Sequence, residues 1–389
     1  MRLLQVTPYF APAWAYGGPP RVMHDLAVGL AARGHRVDVL TTDVLDADHR
    51  AEPDHERMSG VSVRRLPNLS NSLAWRKKKY LPRGLVRTLA AEAGDYDAIH
   101  VTDVRTYLTA SAFLAATARR TPLVISAHGS LPGSAGVRGA VKRAYDLALV
   151  RPMLRRASLL LAQTGHEAEL YVRFGGRREA VRQLPLPLPP IEVDLDGIRG
   201  SFRRALGIDA ETALLLFLGR INWLKGLDLL VEAVEPLLDS DTVLAVVGRD
   251  DGELASIRAR FGEHLAAGRI RLAGALYGDD RFAAYVDANV FCLTPRHWEE
   301  TSVAALEAAA CGTAIVVTEQ SEIPGLAESG GGFVVRQDPE SIRAAVARAL
   351  ADPAKTGAKA REHVLAHHRT HYVVETLERY LLEVTGAGA

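Results

Sequence analysis

Short apolar runs of strand length alternate with longer amphipathic stretches along the whole chain. The first set of runs predicts buried parallel strands at residues 3–7, 36–41, 98–101, 123–126 and 159–163. The amphipathic stretches between these runs have the length of helices, and the one at residues 20–33 opens with proline and ends before Gly34. Strands that alternate with helices through short connections predict a parallel, doubly wound sheet.

A proline-rich segment separates this set from a second one. Residues 184–190 contain four prolines, which remove backbone donors, so the segment cannot join a sheet interior or a helix. It is predicted to be a semi-rigid linker, followed by a polar stretch at 192–197. The second set of strands is predicted at residues 214–218, 242–247, 270–272, 290–293, 314–317 and 333–335. We therefore predict two Rossmann-like α/β domains, residues 1–188 and 189–371, that face a cleft at the carboxyl ends of their strands.

The amino-acid composition and the net charge limit the classes of ligand that the protein is expected to bind. The chain has 389 residues, of which 48% are apolar and 24% charged, as is typical of a globular protein. Its 47 basic and 46 acidic groups leave a formal net charge of +1, so no overall field attracts nucleic acid. An anion must be held by local geometry, which favours a small phosphate ligand over a polymer and predicts no nucleic-acid partner.

The two cysteines and the first residues of the chain indicate in which cellular compartment the protein is expected. Cys292 and Cys311 lie inside apolar segments and form no metal-type pair, which fits a reducing environment. Residues 1–6 continue into a Thr-Pro-Tyr sequence without the features of a signal peptide, and no apolar run is long enough to span a bilayer. We expect a soluble, cytoplasmic protein.

Two loops in the first half carry candidate chemistry. Gly17 and Gly18 precede a predicted helix, where paired glycines permit a close backbone approach and a helix N-terminus offers unpaired N–H groups. A glycine pair in that place is structural more often than not. His128 follows a predicted strand, where it could hydrogen-bond a sugar or a reacting group, although a single histidine is more often structural or solvated.

Two cations follow the first strand of the second half. Arg220 comes directly after Gly219 at the carboxyl end of that strand, and Lys225 lies at the start of the next predicted helix. Two cations this close suit a diphosphate. The alternative is a pair of solvated loop charges, and the position at the ligand-binding edge of a sheet makes the two interpretations comparable.

A single carboxylate in an apolar helix is a further candidate. The helix is predicted after Thr301 or Ser302, either of which could cap it, and before Gly312. Glu307 is the only charge within it, and burial of an unpaired carboxylate is costly, so Glu307 needs a dedicated partner. Vicinal sugar hydroxyls and an internal arginine would serve equally well on chemical grounds.

Together these elements resemble the family 4 glycosyltransferases, which are retaining enzymes of the GT-B architecture. The likeness covers nearly the whole chain: the Gly-Gly loop, the His-Gly pair, a Gly-Arg-x4-Lys-Gly element, a turn at 248–252, and a Glu-x7-Glu element from Glu299 to Glu307. It implies a nucleotide-sugar donor, a glycan or lipid-linked acceptor, no metal cofactor, and a place in assembling a bacterial surface polysaccharide or glycolipid. It also implies that a C-terminal helix, within residues 372–389, crosses back to the first domain.

The resemblance implies a set of residues for the donor phosphates. Gly18, next to Gly17, would contact phosphate through its backbone, and Arg220 and Lys225, after Gly219, would bind the diphosphate. Such cations, with a helix N-terminus, would stabilise the leaving group in place of a metal ion. We expect both cations to be unpaired in the ligand-free protein.

The resemblance implies a second set of residues for the sugars. Glu299 would hold donor-sugar hydroxyls and Glu307 the ribose hydroxyls, so a ligand rather than a core arginine is the expected partner of Glu307. Backbone N–H groups around Ser302 and Val303 would meet phosphate, and His128 would lie near the transferred sugar. No nucleophilic carboxylate is evident, so we favour retention in which the departing phosphate accepts the acceptor's proton on the same face.

One element departs from the family. Where the family commonly has Glu-Gly-Phe-Gly, residues 299–302 are Glu-Glu-Thr-Ser, so the donor-sugar pocket is expected to differ and the sugar is not predicted. These replaced glycines support a rival, a non-catalytic nucleotide-sugar-binding protein. A second rival, a nucleotide-sugar epimerase, is opposed by the Gly-Arg-x4-Lys-Gly and Glu-x7-Glu elements.

Three short patterns suggest other chemistry. Asp-x-Asp at 46–48, 95–97 and 194–196 matches the metal motif of another glycosyltransferase architecture but lies in turn-like regions. His363, His367 and His371 could align on one helix face, although a solvated helix is favoured and no metal is expected. The basic run at 76–79 is predicted to be a surface loop that could touch anionic lipid or a lipid-linked acceptor, in peripheral contact with the inner membrane face.

Overall fold

The buried apolar runs form two separate sheets, one mostly and one fully parallel. A computed structural model describes residues 1–131 and 136–386; residues 387–389 of the predicted C-terminal segment lie outside this part. Its contacts divide the chain into two units, Met1–Pro189 with Thr370–Ala389, and Pro190–Arg369.

The first unit contains an eight-stranded sheet. Its strands are β1 (Arg2–Val6), β2 (Arg36–Thr42), β3 (His55–Met58), β4 (Val61–Leu66), β5 (Ala98–Thr102), β6 (Leu123–Ser126), β7 (Leu159–Ala162) and β8 (Val181–Gln183). They lie in the order β3-β4-β2-β1-β5-β6-β7-β8, and only β3 runs antiparallel to its neighbour. Strands β3, β4 and β8 were not predicted, because β3 and β8 are short edge strands of mostly polar residues and β4 alternates buried with exposed side chains.

Helices connect these strands and complete the core. They are α1 (Gly18–Ala32), α2 (Asn71–Lys77), α3 (Leu85–Glu92), α4 (Tyr107–Arg119), α5 (Gly136–Tyr145), α6 (Arg151–Arg156) and α7 (Gly165–Arg173). Leu89 of α3 and Leu108 of α4 pack with the fully buried side chains of β1, β5 and β6. Helix α1 has prolines in its first turn, where their fixed backbone angle favours a helix start, and it begins two residues before the predicted position.

The second unit contains a six-stranded, fully parallel sheet. Its strands are β9 (Ala213–Leu218), β10 (Thr242–Val247), β11 (Ile270–Gly274), β12 (Val290–Leu293), β13 (Ala314–Thr318) and β14 (Gly332–Val335). Their order is β11-β10-β9-β12-β13-β14, which in chain order is the 3-2-1-4-5-6 arrangement of dinucleotide-binding folds. Such sheets bind ligands where the strand order reverses, here between the carboxyl ends of β9 and β12.

Ten helices of the described residues belong to this unit. They are α8 (Leu195–Ile198), α9 (Ser201–Leu206), α10 (Leu227–Val234), α11 (Leu254–Arg260), α12 (Gly262–Ala266), α13 (Asp280–Asp287), α14 (Val303–Ala310), α15 (Leu326–Ser329), α16 (Pro339–Ala351) and α17 (Pro353–His367). Helix α8 begins inside the polar stretch at 192–197 that follows the predicted linker. Before it, the leucines of the Leu-Pro segment are buried, which anchors the segment to the protein.

The last helix, α18 (Thr370–Thr385), belongs to the first unit and packs on α1. An ideal Cβ on Gly29 of α1 would lie 2.4 Å from a methyl carbon of Val374, so the two helices approach more closely than any side chain at position 29 would allow. Glu378 accepts hydrogen bonds from Arg33 at 2.6 Å and from His35 at 2.7 Å. The buried apolar face of α18 consists of Val373, Val374, Leu377 and Leu381.

Candidate active site

The candidate site of the second unit lies at the carboxyl edge of its sheet. Gly219 N–H, after β9, donates to Val247 O at 3.0 Å at the end of β10. An ideal Cβ on Gly248 would lie 1.8 Å from Gly219 O, so only glycine fits at position 248. The ends of β9 and β10 therefore present backbone rather than side chains, which leaves room for a ligand to approach.

The loop after β9 is also fixed against the end of β12. Gly226 has φ 64°, and an ideal Cβ there would lie 2.0 Å from Thr294 O. The Thr294 hydroxyl in turn donates to Gly226 O at 2.9 Å. These contacts span the point where the strand order reverses, so they place Lys225, one residue earlier, beside the loop that follows β12.

Lys225 is paired across this point with Glu299. Its Nζ donates to Glu299 Oε2 at 2.7 Å, and the two side chains are only 18% and 23% exposed. The expectation of an unpaired Lys225 was therefore wrong. The sequence indicated that both charges lie at the same sheet edge, but it did not indicate that they form an ion pair.

Arg220 is also paired, on the exposed rim of the site. Its Nη1 lies 3.2 Å from Asp251 Oδ2, and Asn222 Nδ2 donates to the same oxygen at 2.9 Å. The expectation of an unpaired Arg220 was wrong because Asp251 follows β10, the strand next to β9. The predicted site did not include Asp251, although an acidic residue directly after a neighbouring strand is a signal that could have indicated it.

The loop before α14 keeps a fixed backbone path without glycine. Glu299 N–H donates to Gln320 O at 2.8 Å, and the Thr301 hydroxyl donates to Glu322 O at 3.1 Å. Between them Glu300 is buried and adopts the left-handed conformation, φ 59°, which favours glycine. Burial, with the charge of Glu300 as the next cause, raises the pKa of Glu322.

Ser302, the residue before the first turn of α14, does not cap that helix with its side chain. Ser302 is the N-cap residue, but within the described structure its side chain makes no capping hydrogen bond. The expected cap by Ser302 is therefore not formed, and the Thr301 hydroxyl donates to Glu322 O. The N–H groups of the first turn, which begins at Val303, keep the partial positive charge of a helix start.

Glu307 has a protein partner, contrary to the expectation. Arg281 Nε donates to its Oε2 at 2.9 Å and Arg281 Nη2 to its Oε1 at 2.7 Å, while the Tyr285 hydroxyl donates to Oε2 at 3.1 Å. The hydrogen bond to Glu307 raises the pKa of Arg281, and burial raises that of Tyr285. Both donors belong to α13, and nothing in the sequence pattern indicated that α13 would meet α14 here.

In the first unit, the Gly-Gly loop has a backbone that requires glycine at one position. Gly17 has φ 97°, in the region that disfavours side chains, and Gly18 is the first residue of α1. No described atom lies within 4 Å of an ideal Cβ on Gly17. Glycine is therefore favoured at this position by the backbone angle and not by a lack of space for a side chain.

His128 lies after β6 with a defined tautomer. Its Nδ1 is 2.7 Å from the amide nitrogen of Gln163, which donates, so Nδ1 accepts and Nε2 carries the proton. Burial lowers the pKa of His128 to about 4, so the ring is neutral at neutral pH. Nε2 is buried without a hydrogen-bond partner among the described residues, and it is therefore a donor that a ligand could satisfy.

The alternative metal patterns do not assemble. His363 and His367 lie on α17 but His371 lies on α18, so the three do not share one helix. Asp46 accepts hydrogen bonds from the backbone N–H groups of Asp48 and His49. Within residues 1–131 and 136–386, no group of three or more His, Cys, Asp or Glu side chains is arranged to hold a metal ion.

Comparison with known proteins defines the class of the chain. Residues 17–187 match the family model described as a glycosyl transferase 4-like domain. Residues 212–352 match the model described as glycosyl transferases group 1. The two matches fall in the first and second units, and they identify a two-domain glycosyltransferase.

Relatives and solved structures agree with this class. The D-inositol 3-phosphate glycosyltransferase of Nocardiopsis dassonvillei is 30% identical over 94% of this chain and 89% of its own. Sucrose-phosphate synthase from Thermosynechococcus elongatus has the same fold, with a TM-score of 0.73, 21% identity and 100% coverage of both chains. Anabaena HepE in complex with UDP-glucose superposes with a TM-score of 0.69, 18% identity, and coverage of 98% of this chain and 100% of its own. The chain belongs to the family 4 glycosyltransferases, with the GT-B architecture. No described helix is long and apolar enough to cross a membrane.

Proposed function

We propose that this glycosyltransferase moves a sugar, with retention of anomeric configuration, from a nucleoside diphosphate sugar to a glycan or lipid-linked acceptor. The observation that carries the proposal is the Lys225–Glu299 pair, 2.7 Å apart where the strand order of the second sheet reverses. A cation and a carboxylate at that place match the two ends of a sugar diphosphate, one anionic and one rich in hydroxyls.

Donor binding would exchange the partners of this pair. The diphosphate takes Lys225, and hydroxyls of the transferred sugar take the place of Lys225 at Glu299. Arg220, on the rim after Gly219, exchanges Asp251 for a phosphate oxygen. Both protein pairs keep the charges satisfied in the absence of donor, so the site is held in place before the ligand arrives.

The first unit carries ligand-binding groups of its own. Gly17 and Gly18 offer backbone N–H groups to a phosphate at the start of α1, and His128 offers its Nε2–H to a hydroxyl group. In the second unit, the uncapped N–H groups that follow Ser302 at Val303 meet the diphosphate. These groups favour negative charge as it grows on the leaving phosphate, so we propose that no metal ion is needed.

The comparisons support a nucleotide-sugar donor but leave the acceptor open. HepE, which has the same fold, was solved with UDP-glucose, so UDP sugars are the first donors to test. The Nocardiopsis relative is named for an inositol phosphate acceptor, which therefore belongs in an acceptor panel beside glycans and lipid-linked sugars. In our mechanism the departing phosphate takes the proton of the acceptor hydroxyl on the same face of the sugar.

We also propose a cytoplasmic protein that touches the inner membrane face. Leu69 and Leu73 are exposed at the start of α2, close in sequence to the basic residues Arg76, Lys77 and Lys79. Exposed leucines beside cations fit an anionic bilayer surface. The protein should sediment with vesicles that contain phosphatidylglycerol and not with phosphatidylcholine vesicles; equal sedimentation with both would contradict this contact.

The proposed reaction is tested by incubating the protein with UDP-, GDP- and ADP-sugars and the acceptor panel. We expect release of one nucleoside diphosphate that depends on an acceptor, with a product of the same anomeric configuration as the donor, assigned by NMR. Inverted product would refute retention. No binding of any donor by calorimetry would refute the proposal as a whole.

A further inference from the structure

Glu307 has a restricted capacity for further hydrogen bonds. A carboxylate offers about four acceptor positions. Oε2 receives Arg281 Nε and the Tyr285 hydroxyl, and Oε1 receives Arg281 Nη2. Three positions are therefore used by α13, and one position on Oε1 is left.

Arg281 is held so that it cannot easily release this carboxylate. Its Nη1 donates to Gly278 O in the loop that precedes α13, and its guanidinium lies 4.4 Å from the ring centroid of Phe282. The side chain of Arg281 is 18% exposed and that of Glu307 is 5% exposed. Removing one partner of a buried ion pair is strongly unfavourable, because it leaves the other charge uncompensated. A ligand would therefore have to bind Glu307 while Arg281 stays bound to it.

The pair lies near the ligand-binding edge of the sheet. Helices α13 and α14 both follow strands of the parallel sheet and so both begin at its carboxyl edge. Arg281 is in the first turn of α13 and Glu307 in the second turn of α14. Helical side chains lean toward the N-terminus of their helix, so the Glu307 carboxylate is directed toward this edge.

We propose that Arg281 is a positioning residue that leaves Glu307 able to accept one ribose hydroxyl of the donor, through Oε1, and not two. This inference rests on the proposed function, a nucleoside diphosphate sugar as donor, together with the ribose contact of Glu307 that the family resemblance implies. It replaces the expectation of a two-hydroxyl contact, because Oε2 is fully used within the protein. Arg281 therefore determines which hydroxyl of the nucleotide is recognised, although it need not touch the donor.

The test compares UDP with 2′-deoxy-UDP and 3′-deoxy-UDP by calorimetry, with GDP and ADP sets if UDP does not bind. We expect one of the two deoxy analogues to bind about tenfold or more weakly than the parent, as loss of a hydrogen bond to a charged group should cause. The other should bind within about threefold. Comparable losses for both analogues would show a two-hydroxyl contact and overturn the inference.

Variants test the role of Arg281 itself. In Arg281→Met the discrimination between the two deoxy analogues should disappear, and nucleotide affinity should weaken as the pH falls, since a buried carboxylate without its cation takes up a proton. If Arg281→Met does not fold, Arg281→Lys serves, because an ammonium keeps the charge but cannot hold both oxygens. The matched control is Arg64→Met, which removes a two-bond pair with Glu92 in the first unit and should leave discrimination unchanged.

The outcomes separate this inference from the proposed function. A folded Arg281 variant that keeps wild-type discrimination at every pH would overturn the positioning role while nucleotide binding stands. A wild-type protein that binds none of the three nucleoside diphosphates would overturn the proposed function, and this inference with it.

Discussion

Replacement of Lys225 by alanine should destabilise the ligand-free second unit more than replacement of Arg220 does. The reason is the difference between their ion pairs. Lys225 and Glu299 are 2.7 Å apart and 18% and 23% exposed. Arg220 and Asp251 are 3.2 Å apart and 60% and 38% exposed.

The magnitude follows from the geometry. Two unit charges 2.7 Å apart attract by about 6 kcal/mol at an effective dielectric constant near 20. Desolvation offsets much of this attraction, and a hydrogen bond between charged groups contributes about 1.5–3 kcal/mol net. An exposed pair such as Arg220–Asp251 contributes about 0–1 kcal/mol. For a domain of this size, 1 kcal/mol changes Tm by about 2–4 °C, so Lys225→Ala should lower Tm by about 3–12 °C and Arg220→Ala by no more than about 4 °C.

The assay is calorimetric melting of both variants without ligand, with circular dichroism to confirm folding. A double-mutant cycle sharpens it: Lys225→Met with Glu299→Gln should recover part of the loss, because no charge is then left unpaired. A Lys225→Ala protein that melts at the wild-type temperature would refute the reasoning about the pair. Both single cation variants should still lose about 10²–10³ in kcat, and near-normal turnover in either would make that residue a structural charge only.

Three further predictions use other parts of the structure. Glu307→Ala should lower the free energy of unfolding by about 3 kcal/mol without ligand, because Arg281 would be left unpaired, and an unchanged urea midpoint would contradict this. Activity should persist in EDTA; a loss restored by magnesium or manganese would overturn the proposal that cations replace a metal. Burial lowers the pKa of His100 from 6.5 to about 3, so the unfolded chain takes up a proton there that the folded one does not. Stability should therefore fall as the pH drops below about 6.5, by up to roughly 1.4 kcal/mol per pH unit from this residue, and His100→Gln should make the pH slope of the urea midpoints shallower by that amount while the part due to His128 remains.

The fold was largely predictable because its central strands are buried on both faces. Strands such as β9, β10 and β12 are continuous apolar runs, so each can be recognised from its own sequence, whichever strands lie beside it. The edge strand β3 carries the sequence His-Glu-Arg-Met, which has no apolar run, so its existence depends on pairing with β4. Pairing between two strands is a tertiary interaction, and the hydrophobic periodicity of one strand does not reveal it.

The candidate site was predictable as a set of residue types and not as a set of pairs. Gly219, Lys225 and Glu299 follow predicted strands of the second sheet. Because the carboxyl ends of parallel strands lie at the same edge of a sheet, it could be inferred that these three residues lie at one edge. The partners Asp251 and Arg281 come from β10 and α13, and their contacts depend on the order of strands and the packing of helices. Charges judged to be free on the basis of sequence are therefore satisfied within the protein, which changes the expected effect of every substitution on stability.

We propose that the residues replacing glycine before α14 alter the selectivity of the site for the donor sugar. Glu300 adopts φ 59°, a conformation that costs a non-glycine residue about 1–2 kcal/mol. The protein nevertheless keeps this path, because Glu299 and Thr301, on either side, are hydrogen-bonded to the loop after β13. What changes is the charge, since the buried Glu300 contributes to the raised pKa of Glu322. A chain that had lost its ligand would have no need to keep a backbone conformation that is costly. We therefore propose that the substitution alters sugar selectivity and does not abolish catalysis.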